Sequence, residues 1–269
     1  MPLRLADTHA HLADPALYPV VDQVITRASM EGVERILAVG IDLASSALSV
    51  ALAARFPTVW AAVGIHPHEA SHFGASQLAE LRRLASAPRV VAIGEIGLDY
   101  YRDLAPRDAQ QAAFAAQLDL AGELGLPVVV HNREADDDVL RLLRCRYQGN
   151  DRRRAGVLHC FSGDLKLARE AMQIGFFISF AGNITFRSAA ALRAVAAAIP
   201  GDYLLIETDS PYLAPIPRRG RTNEPAYVRY VAEHLAVIRG MTVDALAAQT
   251  TANAAALFGW DSVTGLTPA

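Results

Sequence analysis

The chain has 269 residues, of which 52% are hydrophobic and 20% are charged. This composition excludes a disordered chain, and the length is typical of one α/β barrel, so we predict a single domain over 1–269. The formal net charge of −3 argues against a protein that coats nucleic acid through a broad basic surface, but it is compatible with one cationic site for a phosphate.

Several features of the sequence predict a cytoplasmic protein without a membrane segment. No apolar run approaches the roughly 18–20 residues of a membrane span. The N-terminus enters the first apolar run without the regions of a secretory signal. The two cysteines, Cys145 and Cys160, are too few for a disulfide framework, so we expect both to be reduced and Cys160 to be a small buried thiol. No exposed apolar stripe indicates a partner chain.

Short apolar runs alternate with longer segments of helical periodicity along the chain. Eight runs occur, at 3–6, 35–39, 58–63, 90–94, 127–130, 155–158, 176–179 and 203–206. Continuous apolar strands separated by helices indicate a covered parallel sheet, and eight such units fit a TIM-like (β/α)8 barrel of the α/β class. Residues 210–225, rich in Pro, Arg and Gly, predict a long loop, and two C-terminal helices, about 225–239 and 242–258, close the fold.

His9 and His11 follow the first apolar run. In extended backbone, side chains two residues apart point to the same face, roughly 6.5–7 Å apart along the strand, so both imidazoles can hold one divalent cation. Neutral imidazole suits Zn, Mn, Fe or Ni at neutral pH. The alternative is a pair of surface or helix-capping histidines.

Three further candidate ligands end later runs: Glu95, His131 and His159. A carboxylate at the end of an apolar strand is costly without a cation or hydrogen bonds, and its two oxygens can bridge two metals about 3.5–4 Å apart. A salt bridge at the barrel rim is the alternative for Glu95. His131 and His159 end the fifth and sixth runs, across the barrel mouth from the first, so their side chains can converge on its centre.

The last apolar run leads into Glu207, Thr208 and Asp209. Alternation places Glu207 and Asp209 on the same face of an extended chain. We expect Asp209 to orient or deprotonate a metal-bound water. We expect Glu207 to accept a hydrogen bond from a histidine N–H behind the metal. Asp99, close after Glu95, fits a turn or cap role at least as well as a site role.

Loop residues are the candidates for substrate contacts. His66 follows the third run and can reach substrate or a second metal, whereas His68 is expected to be exposed and structural. Arg219 and Arg221 lie in a cationic loop after the last strand, where guanidinium forks match phosphate oxygens. The basic run at 152–154 precedes the sixth strand, at the barrel end opposite the chemistry, and is predicted to be a solvated face.

Six ordered motifs together resemble those of the TatD family of metal-dependent hydrolases, over residues 5 to about 259. The motifs are DTHAH at 7–11, GIHPH at 64–68, GEIGLDY at 94–100, LHCFSG at 158–163, ETDSPYL at 207–213 and RGRTNEP at 219–225. The resemblance implies a barrel of the amidohydrolase superfamily with one or two metals, and nuclease activity on DNA, often as a 3′→5′ exonuclease. It also implies a monomer. It implies six metal ligands: His9, His11, Glu95, His131, His159 and Asp209. One departure is Thr222, where the family often has a basic residue, which predicts the loss of one phosphate contact.

These expectations combine in a deoxyribonuclease that hydrolyses phosphodiester bonds. One cation lies on His9 and His11, a second on His131 and His159, and Glu95 bridges them. A divalent cation lowers the pKa of bound water to about 7, which supplies hydroxide at neutral pH. The ligand set suits Zn, Mn, Fe or Ni, although Mg can still support turnover.

The remaining predicted roles concern the substrate. Asp209 engages the attacking water, His66 contacts the scissile phosphate, and Arg219, Arg221 and Asn223 hold flanking phosphates of DNA or another phosphate-bearing substrate. One alternative is metal-dependent hydrolysis of a carboxylic ester or amide such as aminoacyl-tRNA. Another alternative is a nucleic-acid-binding protein with a decayed site.

Overall fold

The computed structural model describes residues 3–148 and 155–260. Within these ranges, eight strands form one sheet in chain order, and each neighbouring pair is parallel. The strands are β1 (Leu5–Ala10), β2 (Val33–Val39), β3 (Val59–Val63), β4 (Val90–Asp99), β5 (Val128–Arg133), β6 (Gly156–Leu158), β7 (Phe176–Phe180) and β8 (Leu204–Ile206). This arrangement confirms the predicted (β/α)8 barrel. The basic run at 152–154 lies outside the described residues.

Helices alternate with the strands and cover the outside of the barrel. They are α1 (Val21–Met30), α2 (Leu43–Arg55), α3 (Ala75–Ala85), α4 (Arg107–Leu124), α5 (Asp136–Tyr147), α6 (Leu165–Gln173), α7 (Ala190–Ala198), α8 (Val228–Arg239) and α9 (Val243–Phe258). Local sequence sets their ends: the Asp42 side chain caps α2 by accepting from the Ser45 N–H at 2.6 Å. Gly125 and Gly240 end α4 and α8 in the left-handed conformation. Among the described residues, no helix is long and apolar enough to cross a membrane.

The barrel closes where the segment after β8 meets β1. The Asp209 N–H donates to the His9 carbonyl at 2.9 Å, and the His11 N–H donates to the Ser210 carbonyl at 2.8 Å. These backbone bonds join the first and last parts of the chain at the carboxyl end of the barrel. They therefore fix His9, His11 and Asp209 side by side, although about 200 residues separate them in sequence.

Apolar side chains fill the inside of the barrel and its closing end. Leu37, Val129 and Phe177 belong to one buried cluster that also contains Phe258 and Trp260, from the end of α9 and the residues after it. Their burial removes a large apolar area from water at about 25 cal/mol per Å², which favours the closed form. A packed core, not a channel, therefore supports the polar residues at the strand ends.

Three strands run further than the apolar pattern predicts. β1 continues to Ala10, β4 to Asp99 and β5 to Arg133, whereas the predicted strands stop at 6, 94 and 130. The apolar run ends where side chains begin to face the polar mouth, but backbone pairing goes on, with Gly97 opposite His131. His9, Glu95 and His131 thus lie within strands, which hold them more rigidly than loops would.

Candidate metal centre

The closure of the barrel brings His9, His11 and Asp209 into one cluster. The Nε2 atoms of His9 and His11 lie 3.2 Å apart, and His11 Nε2 lies 3.4 Å from Asp209 Oδ1. His9 is completely buried, and the other two side chains are only slightly exposed. β8 ends at Ile206, and Asp209 has a positive φ of 54°. Its side chain therefore reaches the cluster from a tight turn, not from the extended alternation that the sequence suggests.

Glu95 stands between this cluster and a second group of histidines. Its Oε2 lies 3.3 Å from His9 Nε2 and 3.6 Å from His11 Nε2. Its Oε1 lies 2.9 Å from His131 Nδ1 and 2.9 Å from His159 Nε2. The two oxygens of one buried carboxylate thus face two different histidine pairs, which is the arrangement a bridging ligand requires.

A glycine sets the spacing between β4 and β5. Gly97 has a φ of 145°, and a Cβ built there would lie 1.9 Å from the His131 carbonyl oxygen. Any other residue would push the two strands apart, because its Cβ would clash with a backbone oxygen of the paired strand, which cannot rotate away as a side chain could. The glycine after Glu95 therefore keeps His131 beside the carboxylate.

The donor atoms are spaced as metal ligands are. Ligands about 2.0–2.1 Å from a tetrahedral cation lie about 3.3 Å from one another. Three groups bring ligand atoms within 4.8 Å of each other: His9, His11 and Asp209; His9, His159 and Glu207; and His66, Glu95 and His131. All six sequence-predicted ligands thus converge at one end of the barrel, and a set of imidazole and carboxylate donors fits one or two divalent cations.

The two central carboxylates are held ionised. Burial alone would raise the pKa of Glu95, but the charge of His159 and the bonds from His131 and His159 lower it well below its ordinary value. Burial likewise opposes ionisation of Asp209, but the bond with His11 and the charges of His11 and His159 outweigh it, so the pKa of Asp209 is lowered. Both groups therefore present negative oxygens to a cation across the neutral pH range.

The histidines divide into two kinds. Burial lowers the pKa of His9, and it lowers the pKa of His66 to about 4, so both imidazoles are neutral at pH 7. Burial also disfavours charge on His159, but the Glu95 carboxylate outweighs it and raises the His159 pKa well above its usual value. The pKa values of His11 and His131 are raised in the same way, against burial, by bonds with Asp209 and Asp99 respectively. The raised pKa values favour a proton on each of these three imidazoles, which a bound cation would have to displace.

Glu207 lies behind His159. Its Oε1 accepts from the Cys160 N–H at 2.6 Å and lies 3.4 Å from His159 Nδ1. His159 Nδ1 and Glu207 Oε2 are buried and lack a hydrogen-bond partner within the described residues. This position is compatible with the expected role, in which Glu207 orients a metal-binding imidazole through its second nitrogen. Cys160 differs from its prediction, because it is half-buried and borders the cavity described below.

Asp99 and His68 belong to the site, although the sequence interpretation left one in doubt and placed the other on the surface. Asp99 Oδ2 lies 2.9 Å from His68 Nε2 and 3.1 Å from His131 Nε2. Its Oδ1 accepts from the N–H groups of Tyr101 and Arg102, so the predicted turn role is also present. Strand alternation could have found Asp99, since positions 95, 97 and 99 of β4 share one face.

A cavity of about 1010 Å³ opens above the cluster. Its lining includes His66, which is buried with Nε2 3.3 Å from Glu95 Oε1, as well as Asn183, Arg102 and Arg133. His66 thus lies where it can meet either a substrate or a cation. The sequence interpretation assigned no role to Asn183, Arg102 or Arg133.

The loop predicted to bind phosphate behaves differently. Asn223 is 0% exposed, and its Nδ2 donates to the carbonyls of Thr208 at 2.8 Å and Tyr212 at 2.5 Å. The phosphate contact of Asn223 stays a prediction; in this structure both N–H groups of its amide donate to backbone carbonyls and fix the chain after β8. Arg219 stacks on the Phe186 ring at 4.0 Å. Within the part of the chain described, neither Arg219 nor Arg221 lines the cavity, and their contact with substrate stays a prediction.

A parallel barrel with a histidine and carboxylate cluster at the carboxyl ends of its strands is the architecture of metal-dependent barrel hydrolases. Comparison with known proteins narrows this class. Residues 6–259 match the sequence model of the family described as TatD related DNase. The chain therefore belongs to the TatD family of metal-dependent hydrolases, as its motifs predict.

Relatives and solved structures agree with this membership. The chain is 42% identical over 254 residues to "Uncharacterized metal-dependent hydrolase YabD" of Bacillus subtilis (strain 168), covering 94% of this chain and 98% of that one. It is 40% identical over 245 residues to "3'-5' ssDNA/RNA exonuclease TatD" of Klebsiella pneumoniae (strain 342), covering 89% and 92%. The crystal structure of YJJV, a TatD homolog from Escherichia coli K12, superposes with a TM-score of 0.90 at 32% identity, covering 96% and 99%.

Proposed function

We propose that this protein is a metal-dependent nuclease that removes nucleotides from the 3′ end of single-stranded DNA or RNA. The observation that carries the proposal is the position of Glu95, whose two oxygens face separate histidine pairs. Relatives named as 3′-5′ ssDNA/RNA exonucleases, at 40–41% identity, support the choice of substrate. The cavity volume is at the upper end of the range for small-ligand sites and accommodates a nucleotide.

The candidate ligands form two groups, one for each cation. His9, His11 and Asp209 would hold one divalent cation, and His131 and His159 a second, with Glu95 between them. The cations would supply acidity to bound water and neutralise charge on the phosphate. Zn, Mn, Fe and Ni suit these donors, and Mg in excess can support turnover.

The proton and the substrate also have assigned groups. Asp209 is ionised and lines the cavity, so its carboxylate can accept the proton of the attacking water. Water oxygen then bonds to phosphorus as the bond from phosphorus to the 3′ oxygen of the preceding nucleotide breaks, and the proton taken up by Asp209 is returned to that 3′ oxygen. His66, neutral at pH 7 because burial lowers its pKa to about 4, can donate a hydrogen bond to a phosphate oxygen.

The experiment is DNA and RNA cleavage by the purified chain, with a 5′-labelled single strand that reveals the direction of digestion. We expect cleavage to stop with a chelator, to return with Mn²⁺, and to fall about 10²–10⁴-fold in Asp209→Asn. Asp202→Asn is the matched control, since Asp202 is an exposed carboxylate just before β8, at the opposite end of the barrel. Chelator-resistant cleavage would refute the proposal.

The same assay decides between the bonds considered from the sequence. An aminoacyl ester and a simple amide substrate, run beside the nucleic acids, would be hydrolysed faster than DNA or RNA if the carbonyl alternative holds. A binding protein with a decayed site would hydrolyse none of them. We expect hydrolysis of nucleic acid with the highest kcat/KM.

We also propose that the enzyme works as a monomer in a reducing, cytoplasmic compartment. All of the candidate ligands come from one chain. Cys145 is exposed and Cys160 half-buried, and both are free thiols, which is typical of reducing compartments. Light scattering during gel filtration checks the first part, with a mass of 28.9 kDa expected.

A further inference from the structure

We propose that Tyr101, Arg102 and Arg133 form a nucleotide subsite at the cavity rim, which binds the base and phosphate next to the bond being cleaved. This inference rests on the proposed nuclease function and names the part of the chain that recognises the polymer. We call these three residues the rim subsite. The ligand class is a single-stranded nucleotide, with little preference among bases.

The rim subsite combines an exposed aromatic face with positive charge. Tyr101 is 54% exposed, and the guanidinium of Arg133 lies over its ring at 4.1 Å from the centroid. One face of the ring is therefore covered by a cation, while about half of the residue is exposed to solvent. A base can stack on the exposed part of the ring or on the planar guanidinium, and stacking tolerates every base because each has a π-face.

Neither arginine is paired with a carboxylate in the part of the chain that the structure describes. Both line the cavity, and among the described residues neither forms an ion pair. The acidic neighbour Asp103 is already opposite Arg107, at 3.4 Å. Two unneutralised guanidinium groups at the mouth of an anion-binding cavity are suited to phosphate oxygens.

The rim subsite is tied to the candidate metal centre. Asp99 Oδ1 accepts from the Tyr101 N–H at 3.1 Å and the Arg102 N–H at 2.7 Å, while its Oδ2 lies 3.1 Å from His131 Nε2. Arg133 lies two residues beyond His131 on β5, so the two side chains share a face about 7 Å apart. A strand bound at the metals would thus pass the rim subsite within one nucleotide.

Tyr212, an exposed tyrosine that lines the cavity, lacks these properties. The hydroxyl of Tyr212 donates to Asp14 Oδ2 at 3.0 Å, and burial together with this carboxylate raises the pKa of Tyr212 to about 12. A phosphate would meet the negative charge of Asp14 on that side. Leu104, 65% exposed, adds apolar surface on the Tyr101 side instead. The observations therefore favour the β4–β5 rim.

The first test separates stacking from a structural effect. We expect Tyr101→Ala to raise KM for a single-stranded oligonucleotide about 5- to 100-fold, the range for loss of one stacked base, with kcat changed little. Tyr101→Phe keeps the ring and should stay within about twofold. Hydrolysis of methyl 4-nitrophenyl phosphate, which has no neighbouring nucleotide, should be unchanged. Equal loss on both substrates would mean that Tyr101 acts through Asp99, and would overturn the subsite.

The second test measures phosphate contacts. For oligonucleotide binding by the Asp209→Asn protein, Arg102→Ala and Arg133→Ala should each reduce the slope of log affinity against log salt by about 0.7. Arg169→Ala, at an exposed position on α6, is the control and should leave the slope unchanged. If Asp209→Asn binds the strand and the rim variants match its slope, only the rim subsite is wrong. If neither Asp209→Asn nor the unsubstituted protein binds the strand, the nuclease proposal fails with it.

Discussion

The histidine and carboxylate cluster at the strand ends and the arginine loop at 218–224 differ in burial. The cluster consists of buried side chains on β1, β4 and β5 and just after β6 and β8, and its members lie within about 3–4 Å of a common carboxylate or of each other. The loop at 218–224 presents exposed arginines around a buried asparagine.

The difference teaches how far a motif can be interpreted. In a barrel, the carboxyl ends of all strands meet at one mouth, so a residue that ends a strand in the sequence can be placed at that mouth before the structure is known. A loop residue has no such constraint. Asn223 lies in a motif as clear as the others, yet it faces inward and fixes the backbone after β8. A motif there can serve the fold instead of the substrate.

The largest effect should come from Glu95→Gln, which keeps the shape of the side chain and removes its charge. We expect kcat to fall at least about 10³-fold, because the loss affects both candidate cation positions at once. Metal analysis by atomic emission should show less bound metal per chain. Exposed Glu69→Gln, on the segment after β3, is the control. A Glu95→Gln enzyme with normal kcat and metal content would remove the basis of the comparison.

Acid should weaken metal binding at the cluster. The pKa values of His159, His131 and His11 are raised, so these groups gain protons as pH falls through a range above 6.5, whereas Glu95 and Asp209 stay ionised. A cation must displace those protons, and affinity should fall about tenfold per pH unit for each one. Competition with a fluorescent chelator between pH 8 and pH 6 measures this. A flat profile would contradict the assigned ligands.

Removing the charge behind His159 should have an intermediate effect. Glu207→Gln is expected to weaken metal affinity about 10–100-fold, the range found when a carboxylate supporting a metal-binding histidine is lost. The Glu207 Oε1 bond to the Cys160 N–H can persist in the variant, so folding should be preserved. Calorimetric titration with Mn²⁺ gives the affinity. Unchanged affinity would show that Glu207 serves only to fix the backbone at Cys160.

The smallest effect should come from the arginine loop. We expect the double variant Arg219→Ala, Arg221→Ala to lower kcat/KM for an oligonucleotide less than about threefold. Both arginines are exposed and lie outside the cavity, so water and salt screen their attraction to the substrate phosphates. Steady-state kinetics in about 0.15 M salt would measure it. A loss as large as that expected for the rim subsite would restore the role predicted from the sequence and weaken the contrast between the two regions.

The sequence by itself determined the class of fold, the TatD family and the convergence of its six candidate ligands. Eight apolar runs separated by amphipathic helices have few compact solutions, because parallel strands must be covered and their crossovers turn one way. Given a barrel, the positions of His9, Glu95, His131 and Asp209 at the ends of apolar runs predict that they lie together at its mouth. Burial of apolar surface, which the composition encodes, supplies the driving force.

Only the tertiary structure decided what surrounds those ligands. The pairing of Asp99 with His131 and the exposed face of Tyr101 depend on how far β4 and β5 remain paired beyond their apolar runs. The inward turn of Asn223 depends on carbonyls at Thr208 and Tyr212 that need a donor. Such choices are set by buried polar groups finding partners across the fold, and neighbours distant in sequence are not visible in local pattern.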